Sequence, residues 1–392
     1  SNIHFSLIAV RNNHAITETL ALYVVGTLFP FFAESGEWKK RGKSWFEQEI
    51  LFQVFPDGGY LQYSFNYQRV VAQLLTLGLA LARIHNDPIM SPVLERAQQL
   101  VRLMLSCQDI ESGQLPNYGA NDGSLFFRWN DRPFSDYRPA LDGLHKVLTG
   151  KGLYQNLSPE AWWGSVQLNN YNMRAVAISD GALTFPDAGL FVYRSKNMHA
   201  MIVCPQLKAR PSQADHLHLD VWVNGKNILM DGGAYRYNTE TKLKRYFFGS
   251  ESHNTVMIAE YDQMRKGPRF IWLNWTKVVK AGWVDSRTFL AEILCFEQLG
   301  LVKHQRKIEF ATNAIIVIED KVSSKGKLPM RQLWHKPSGN AVDASAVGDT
   351  DEPLVVQSVD ANYSPTYGQL SPCTQFEFVT TGHRIRTKLI FE

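Results

Sequence analysis

Cysteine is scarce and scattered. The four residues Cys107, Cys204, Cys295 and Cys373 lie far apart, with no Cys-x-x-Cys pair, which excludes a thiolate metal knot and a disulfide framework. Long apolar runs are missing as well. The longest, residues 21–33, is interrupted by Pro30 and is too short to cross a bilayer, so no membrane span is expected. No basic-then-apolar leader with a small-residue cleavage site opens the sequence. Lys and Arg form no dense cluster of the kind that grips nucleic acid, and no nucleic-acid partner is expected. The first 175 residues balance at 15 basic and 15 acidic, so the net charge of +4 arises in the remainder. That mild bias suits an acidic polysaccharide and an ordinary protein surface equally. There is no internal repeat and no low-complexity segment.

What is present is globular. The chain has 392 residues, 45% hydrophobic and 20% charged, enough for a sizeable core in one or two domains. Two textures meet near residue 175. Apolar residues recur at helical spacing over 17–32, 69–84, 93–107 and 137–148, the last ending at Gly150. Ser91-Pro92 and Ser158-Pro159 have the form of an N-cap followed by proline in the first turn. From about residue 185 the runs become short and rich in β-branched or aromatic residues: 190–194, 200–204, 217–223, 254–258, 270–275, 289–296, 308–318, 354–359 and 385–391. Asn224-Gly225 and Ser324-Lys325-Gly326 are turn signals between them. Many short strands without intervening helices predict an antiparallel sandwich. The expected fold class is α + β multidomain, a helical domain over 1–175 and a β-sandwich over 176–392.

Three constellations carry chemistry. Asn12-Asn13-His14 opens a helix, either as a simple N-cap or as an amide and an imidazole that grip a substrate carboxylate. Gln62-Tyr63-Ser64-Phe65-Asn66-Tyr67-Gln68-Arg69 follows a Gly-rich loop. There Tyr67 is either a packing residue or a proton-transfer group, and a phenol with an ordinary pKa of about 10 needs nearby positive charge to serve as base. Arg69 or a histidine is placed to supply it. The third is the densest. Asp215-His216-Leu217-His218-Leu219-Asp220-Val221-Trp222-Val223 alternates, so Leu217, Leu219, Val221 and Val223 are expected in the core, with His216 and His218 on an open opposite face. A hairpin through Asn224-Gly225 returns Asp231-Gly232-Gly233 toward that pair, and Ser252-His253-Asn254-Thr255 follows. Two imidazoles and a carboxylate suit a tetrahedral metal with one position left for water.

The ordered set resembles the heparinase II/III-like polysaccharide lyases. The likeness runs through Asn13-His14, the Tyr67 segment, His216-Leu217-His218, Asp231-Gly232-Gly233 and His253-Asn254-Thr255. It implies an incomplete (α/α) toroid, truncated on its N-terminal side, followed by an antiparallel β-sandwich, with a shorter stretch between Asp231 and His253 than in well-known relatives. It implies cleavage of uronic-acid-containing polysaccharide by β-elimination. Asn13, helped by His14, would neutralise the uronate carboxylate. Tyr67 and His216 would be the catalytic tyrosine and histidine, and either Tyr237 or Tyr246 a second tyrosine. His218, Asp231 and His253 would bind a structural divalent metal, zinc by expectation. Arg69, with Asn117 and Asn121 of the Pro116 to Gly123 loop, would bind substrate. The resemblance also implies a periplasmic or extracellular location. Two other classes stay open: a non-catalytic surface-polysaccharide binding protein, and a toroid-type glycoside hydrolase. The hydrolase needs two opposed carboxylates, for which Glu18, Asp57 and Asp122 are available.

Overall fold

The computed structural model describes residues 3–128, 131–154, 171–323, 328–339 and 342–391. The expected cap at Ser158-Pro159 and the expected turn at Ser324-Lys325-Gly326 lie outside the described residues. The chain divides into two compact units. One comprises residues 1–108, 113–115 and 124–178; the other comprises 109–112, 116–123 and 179–392.

The first unit is helical. A short α1 (Ile3–Phe5) and a π-helical turn (Ser6–Val10) precede α2 (Asn13–Leu28), α3 (Ser35–Gln53), α4 (Phe65–Ile84), α5 (Ser91–Cys107) and α6 (Arg138–Thr149). Helices α2 and α3 run antiparallel and meet backbone to backbone. A Cβ on Gly26 would stand 2.3 Å from Lys39 N, and one on Gly42 would stand 2.3 Å from Tyr23 N, so only glycine permits the approach. Helix α4 is buried on nearly every side, as befits a central helix. It begins at Phe65, four residues earlier than its apolar spacing predicts, because Ser64 caps it by accepting the Tyr67 N–H at 3.2 Å. Helix α2 stops at Leu28 instead of running to residue 32, ahead of Pro30. Ser91, expected as a cap, is the first helical residue of α5, and Met90 occupies the cap position. Helix α6 ends as expected on Gly150, at φ +75°.

The second unit is almost all strand. β1 (Gly181–Phe185), β2 (Leu190–Arg194), β3 (Met198–Val203), β4 (Leu219–Val223) and β5 (Lys226–Leu229) form an antiparallel meander. Helix α7 (Thr241–Phe248) and a 3-10 turn (Ser250–Ser252) lead to β6 (Val256–Ile258), then to a small hairpin of β7 (Arg265–Lys266) and β8 (Trp272–Leu273). The remaining strands are β9 (Lys277–Trp283), β10 (Thr288–Cys295), β11 (Val302–Thr312), β12 (Ile315–Val322), β13 (Met330–Pro337), β14 (Val342–Val347), β15 (Pro353–Leu354), β16 (Val356–Tyr363), β17 (Ser371–Thr380) and β18 (Arg384–Phe391). They build a seven-stranded sheet ordered β15-β14-β18-β12-β11-β10-β9 and a four-stranded sheet ordered β16-β17-β13-β6. The run 308–318, expected as one strand, is a hairpin: Thr312 pairs with Ile315.

Met230 N–H donates to His335 O at 3.0 Å, joining the meander to the four-stranded sheet. The seven-stranded sheet faces them across one core, where Tyr193 stacks on Phe310 at 4.2 Å and Phe191 lies against Phe289 at 4.8 Å. The result is an antiparallel sandwich.

Candidate functional site

In the first unit a polar network joins two of the sequence constellations. Asn12 is the N-cap of α2, its side chain accepting the His14 N–H at 3.0 Å. The Asn13 N–H donates to Gln62 Oε1 at 3.2 Å. The Tyr60 hydroxyl lies 2.9 Å from that oxygen and 3.1 Å from Gln53 Oε1. Gln53 Nε2 donates to Asn12 O and to Glu49 Oε2, and Glu49 pairs with Arg11 at 2.8 Å. The segments of Asn13 and Tyr67 are thus tied together, with Asn13 half-buried, the His14 side chain exposed and Tyr67 buried.

Arg69 departs from expectation. Its guanidinium is fully buried, 4.0 Å over the Phe134 ring and 4.3 Å over the Tyr137 ring, bonded to Asn66 Oδ1 and Phe134 O. Two positions along a helix from Tyr67, it points to a different side. It clamps the 134–137 segment onto α4 rather than offering a surface charge to substrate.

In the second unit the Asp215–Val223 stretch is not one straight strand. β4 starts only at Leu219, and Leu217 has φ +63°, a left-handed conformation that breaks the alternation. The four apolar residues are buried as expected, but His216 and His218 are fully buried too. The expectation of an open imidazole face is therefore corrected. The second face is covered by the 250–255 segment and β13, which form a polar layer over it.

His216 is bracketed by Gln263, which accepts its N–H at 2.9 Å and donates to its carbonyl at 2.8 Å. Thr255 Oγ1 donates to the same carbonyl at 2.7 Å. His216 Nε2 lies 3.0 Å from Pro205 O. A carbonyl only accepts, so Nε2 carries the proton and Nδ1 the lone pair. Burial holds this imidazole below its ordinary pKa, against the pull of Asp215 and Pro205 O.

His218, Asp231 and His253 converge, with ligand atoms all within 4.8 Å of one another. His253 Nδ1 is 3.3 Å and His218 Nε2 3.8 Å from Asp231 Oδ2. These three facing atoms are fully buried and have no hydrogen-bond partner. A nitrogen–nitrogen–oxygen set aimed at one point is what a metal ion requires, so the residues fit. Asn254 N–H donates to His218 Nδ1 at 2.9 Å, so a neutral ring holds its proton on Nε2; a cation bound at Nε2 would require that proton to move to Nδ1 and the Asn254 N–H to turn away. Burial alone would raise Asp231, but His253, His218 and the Gly233 N–H together hold it below the usual carboxylate range. Burial opposes the charge of His253, yet Asp231 holds it above its ordinary value.

Several positioning roles were not assigned from the sequence. Asn254 Nδ2 donates to Leu219 O and Met230 O, and its Oδ1 accepts His335 N–H at 2.6 Å. Arg306, fully buried on β11, donates through Nη1 to Leu217 O and Asn254 O, both at 2.7 Å. It also binds both Asp320 oxygens at 2.7 Å. Gln332 Nε2 donates to Asp320 at 2.7 Å, and His304 Nε2 lies 2.7 Å from it. Arg306 thus fixes the carbonyls that neighbour His218 and His253. The available signal was His304 and Arg306 alternating in register with apolar Val302, Ile308 and Phe310.

Tyr246 and Tyr237 separate by environment. The Tyr246 hydroxyl donates to Asn362 O at 3.0 Å, and burial raises its pKa. Tyr237 is half-buried, its ring 5.2 Å from Phe270 and 6.0 Å from Tyr367. Asn117 Nδ2 donates to Ser364 O at 3.1 Å, and Asn121 Oδ1 accepts the Gly123 N–H at 2.9 Å. Both asparagines belong to the second unit.

Sequence comparison bears on this geometry. A model of the heparinase II/III-like C-terminal domain matches residues 178–383, and a model of the heparinase II/III N-terminus matches residues 4–90. The chain belongs to the heparinase II/III-like family. A heparin-sulfate lyase of Bacteroides stercoris is 22% identical over 357 residues, covering 86% of this chain and 47% of the relative. A second, from Pedobacter heparinus, is 22% identical over 272 residues, covering 64% and 36%. The chain therefore spans about half the length, or less, of the curated relatives it matches. A solved heparinase III superposes with TM-score 0.73 and 15% identity, over 97% of this chain and 61% of its own. A heparan sulfate lyase from Pedobacter heparinus gives TM-score 0.70 and 15% identity, over 97% and 60%. The shared fold is that of an α-toroid part and an antiparallel β-sandwich.

Proposed function

We propose that this heparinase II/III-like chain is the catalytic part of a polysaccharide lyase that cleaves uronic-acid-containing polysaccharide by β-elimination, in the periplasm or outside the cell. The observation that carries the reading is the match of both family models to one chain whose curated relatives are heparin-sulfate lyases. The second unit adds support: the side chains that converge in it are those of His218, Asp231 and His253.

Elimination removes the weakly acidic proton at C5 of the uronate and expels the glycosidic oxygen at C4. Hydrogen bonds from Asn13 and His14 would neutralise the carboxylate and stabilise the developing enolate. His216 would be the base: burial lowers its pKa, which favours the neutral form, and Nδ1 holds a lone pair with no hydrogen-bond partner, buried so that a substrate reaches it only when the cover over it opens. Tyr67 would deliver the proton to the leaving oxygen, or serve both steps where the two protons share a face of the sugar. Two histidines and an aspartate suit Zn²⁺ best, which would supply a structural tie at His218, Asp231 and His253.

The test is incubation with a panel of uronate polymers, reading the ultraviolet absorbance of a newly formed unsaturated uronate. Its appearance supports elimination; reducing ends without it would mean hydrolysis. Tyr67→Phe, which removes only a hydroxyl, is expected to slow formation by roughly a hundred- to ten-thousand-fold. An undiminished rate would make Tyr67 a packing residue.

A further inference from the structure

We propose that Arg210, Lys244 and Phe270, with Tyr237 behind them, form an anion-binding platform that holds a sulfate or carboxylate group of an acidic glycan beside the candidate site. The proposal deepens the lyase reading and rests on it only for the choice of ligand.

Three separate segments build the platform: Arg210 from the loop after β3, Lys244 from α7, and Phe270 from the β7–β8 loop. The Lys244 ammonium lies 5.3 Å and the Arg210 guanidinium 5.6 Å from the Phe270 centroid. Phe270 is 38% exposed. A third cation, Lys266, is held beneath by the carbonyls of Gly267, Arg269 and Ile271. It is close enough to Lys244 and Arg210 that both push its pKa down, after burial. Asp262 partly offsets the charge of Lys266, but Lys244 and Arg210 still repel it and each other, and an arriving anion relieves that repulsion. An exposed aromatic ring flanked by cations also offers a sugar a flat apolar face.

The platform is firm and well placed. A satellite core of Ala214, Phe248, Met264 and Trp272 supports it, with Leu207, Tyr237 and Trp275 packed against that core. From Phe270 the contacts run through Tyr237 to Tyr367, beside Gly123 of the Pro116 to Gly123 loop. Ser364, three residues from Tyr367, donates its N–H to Gly232 O, next to Asp231. These contacts tie the platform, within one unit, to the segment that carries Asp231.

The experiment measures binding of heparan sulfate oligosaccharides to the whole chain at several salt concentrations, with neutral dextran as reference. The Arg210→Gln/Lys244→Gln double variant is expected to bind about tenfold more weakly or worse, since hydrogen bonds to charged groups are the strong ones. Its salt dependence should be shallower by roughly two, about one for each cation removed. Phe270→Ala should weaken binding with the salt dependence unchanged. Lys307→Gln/Lys388→Gln removes the same charge from exposed positions of the seven-stranded sheet and should bind as the wild type does. All variants should unfold at the wild-type midpoint. The proposal is overturned if the wild type binds no acidic glycan, if the Arg210/Lys244 variant binds unchanged, or if the Lys307/Lys388 variant loses as much. If the platform variants behave as expected but no uronate polymer yields an unsaturated product, the lyase reading fails and the platform stands.

Discussion

The second unit holds two buried charge clusters that treat their polar atoms in opposite ways. Around Asp320 both carboxylate oxygens are bonded: Arg306 takes both, Gln332 donates to one, and His304 contacts the other, although His304 Nδ1 is itself left without a partner. Around Asp231 the facing atoms of His218, His253 and the carboxylate have no hydrogen-bond partner. Both clusters suffer desolvation. In the first, hydrogen bonds inside the protein offset it; in the second, the offset is left for a ligand to supply. His199 shows that one orphaned atom is not enough. Its Nε2 is also unpartnered, but its ring lies flat against Trp222 and no second ligand atom converges on it. Convergence of unused valences, rather than burial, marks the candidate site.

The contrast is broken most severely at Asp320. Asp320→Ala leaves the Arg306 charge buried and unpaired, and should lower stability by about 3–5 kcal/mol in urea unfolding at pH 7. A loss below about 1 kcal/mol would show that Arg306 is satisfied without it.

The open cluster gives the next largest effect. Zinc at a hundredfold excess over its dissociation constant should stabilise the chelator-treated protein by about 2.7 kcal/mol. His218→Ala should abolish that increment. Equal unfolding midpoints for the chelated and zinc-loaded wild type would remove the metal site.

The pH dependence is subtler. Burial pushes His199 down to about 3, while the unfolded imidazole titrates near 6.5. As pH falls below the unfolded value, the unfolded state binds the proton first, so stability is lost progressively between about pH 6.5 and 3. His199→Leu should flatten that slope by about 1.4 kcal/mol per pH unit, one proton's worth. Asp320 is held below the carboxylate range by Arg306 and His304 against its burial. Its contribution is complete above about pH 4 and lost only at lower pH, as it passes the depressed native value. An unchanged slope in the His199 variant would assign the loss to other buried imidazoles.

The sequence made the architecture legible where period and composition agreed, in α4 to α6 and in most strands. Helix α3 escaped because Ser35 to Gln53 is largely polar, and what holds it is the glycine crossing at Gly26 and Gly42, a tertiary fact. The hairpin at residue 313 was fused into one strand because Ile308 to Ile318 is apolar on both sides of a short turn. The ligand set was readable as residue types in order, and its members do converge. What alternation could not reveal was Leu217 in a left-handed conformation, or a second polar layer closing over the strand. Arg306 and Asp320 were passed over because isolated charges in a strand usually face water, and only their pairing across β11 and β12 makes them interior.

Asn254 gives the candidate site a history as well as a shape. Its side chain and carbonyl bond to residues 24, 35, 52 and 81 positions away. Each of these closures must await the arrival of distant chain, and long-range pairings form slowly. During synthesis the pocket around Asp231 therefore has no fixed geometry until His335 has emerged and β13 has docked. The site is completed only when β13 has docked and His335 has reached Asn254, so a metal added during refolding should be captured no earlier than that docking.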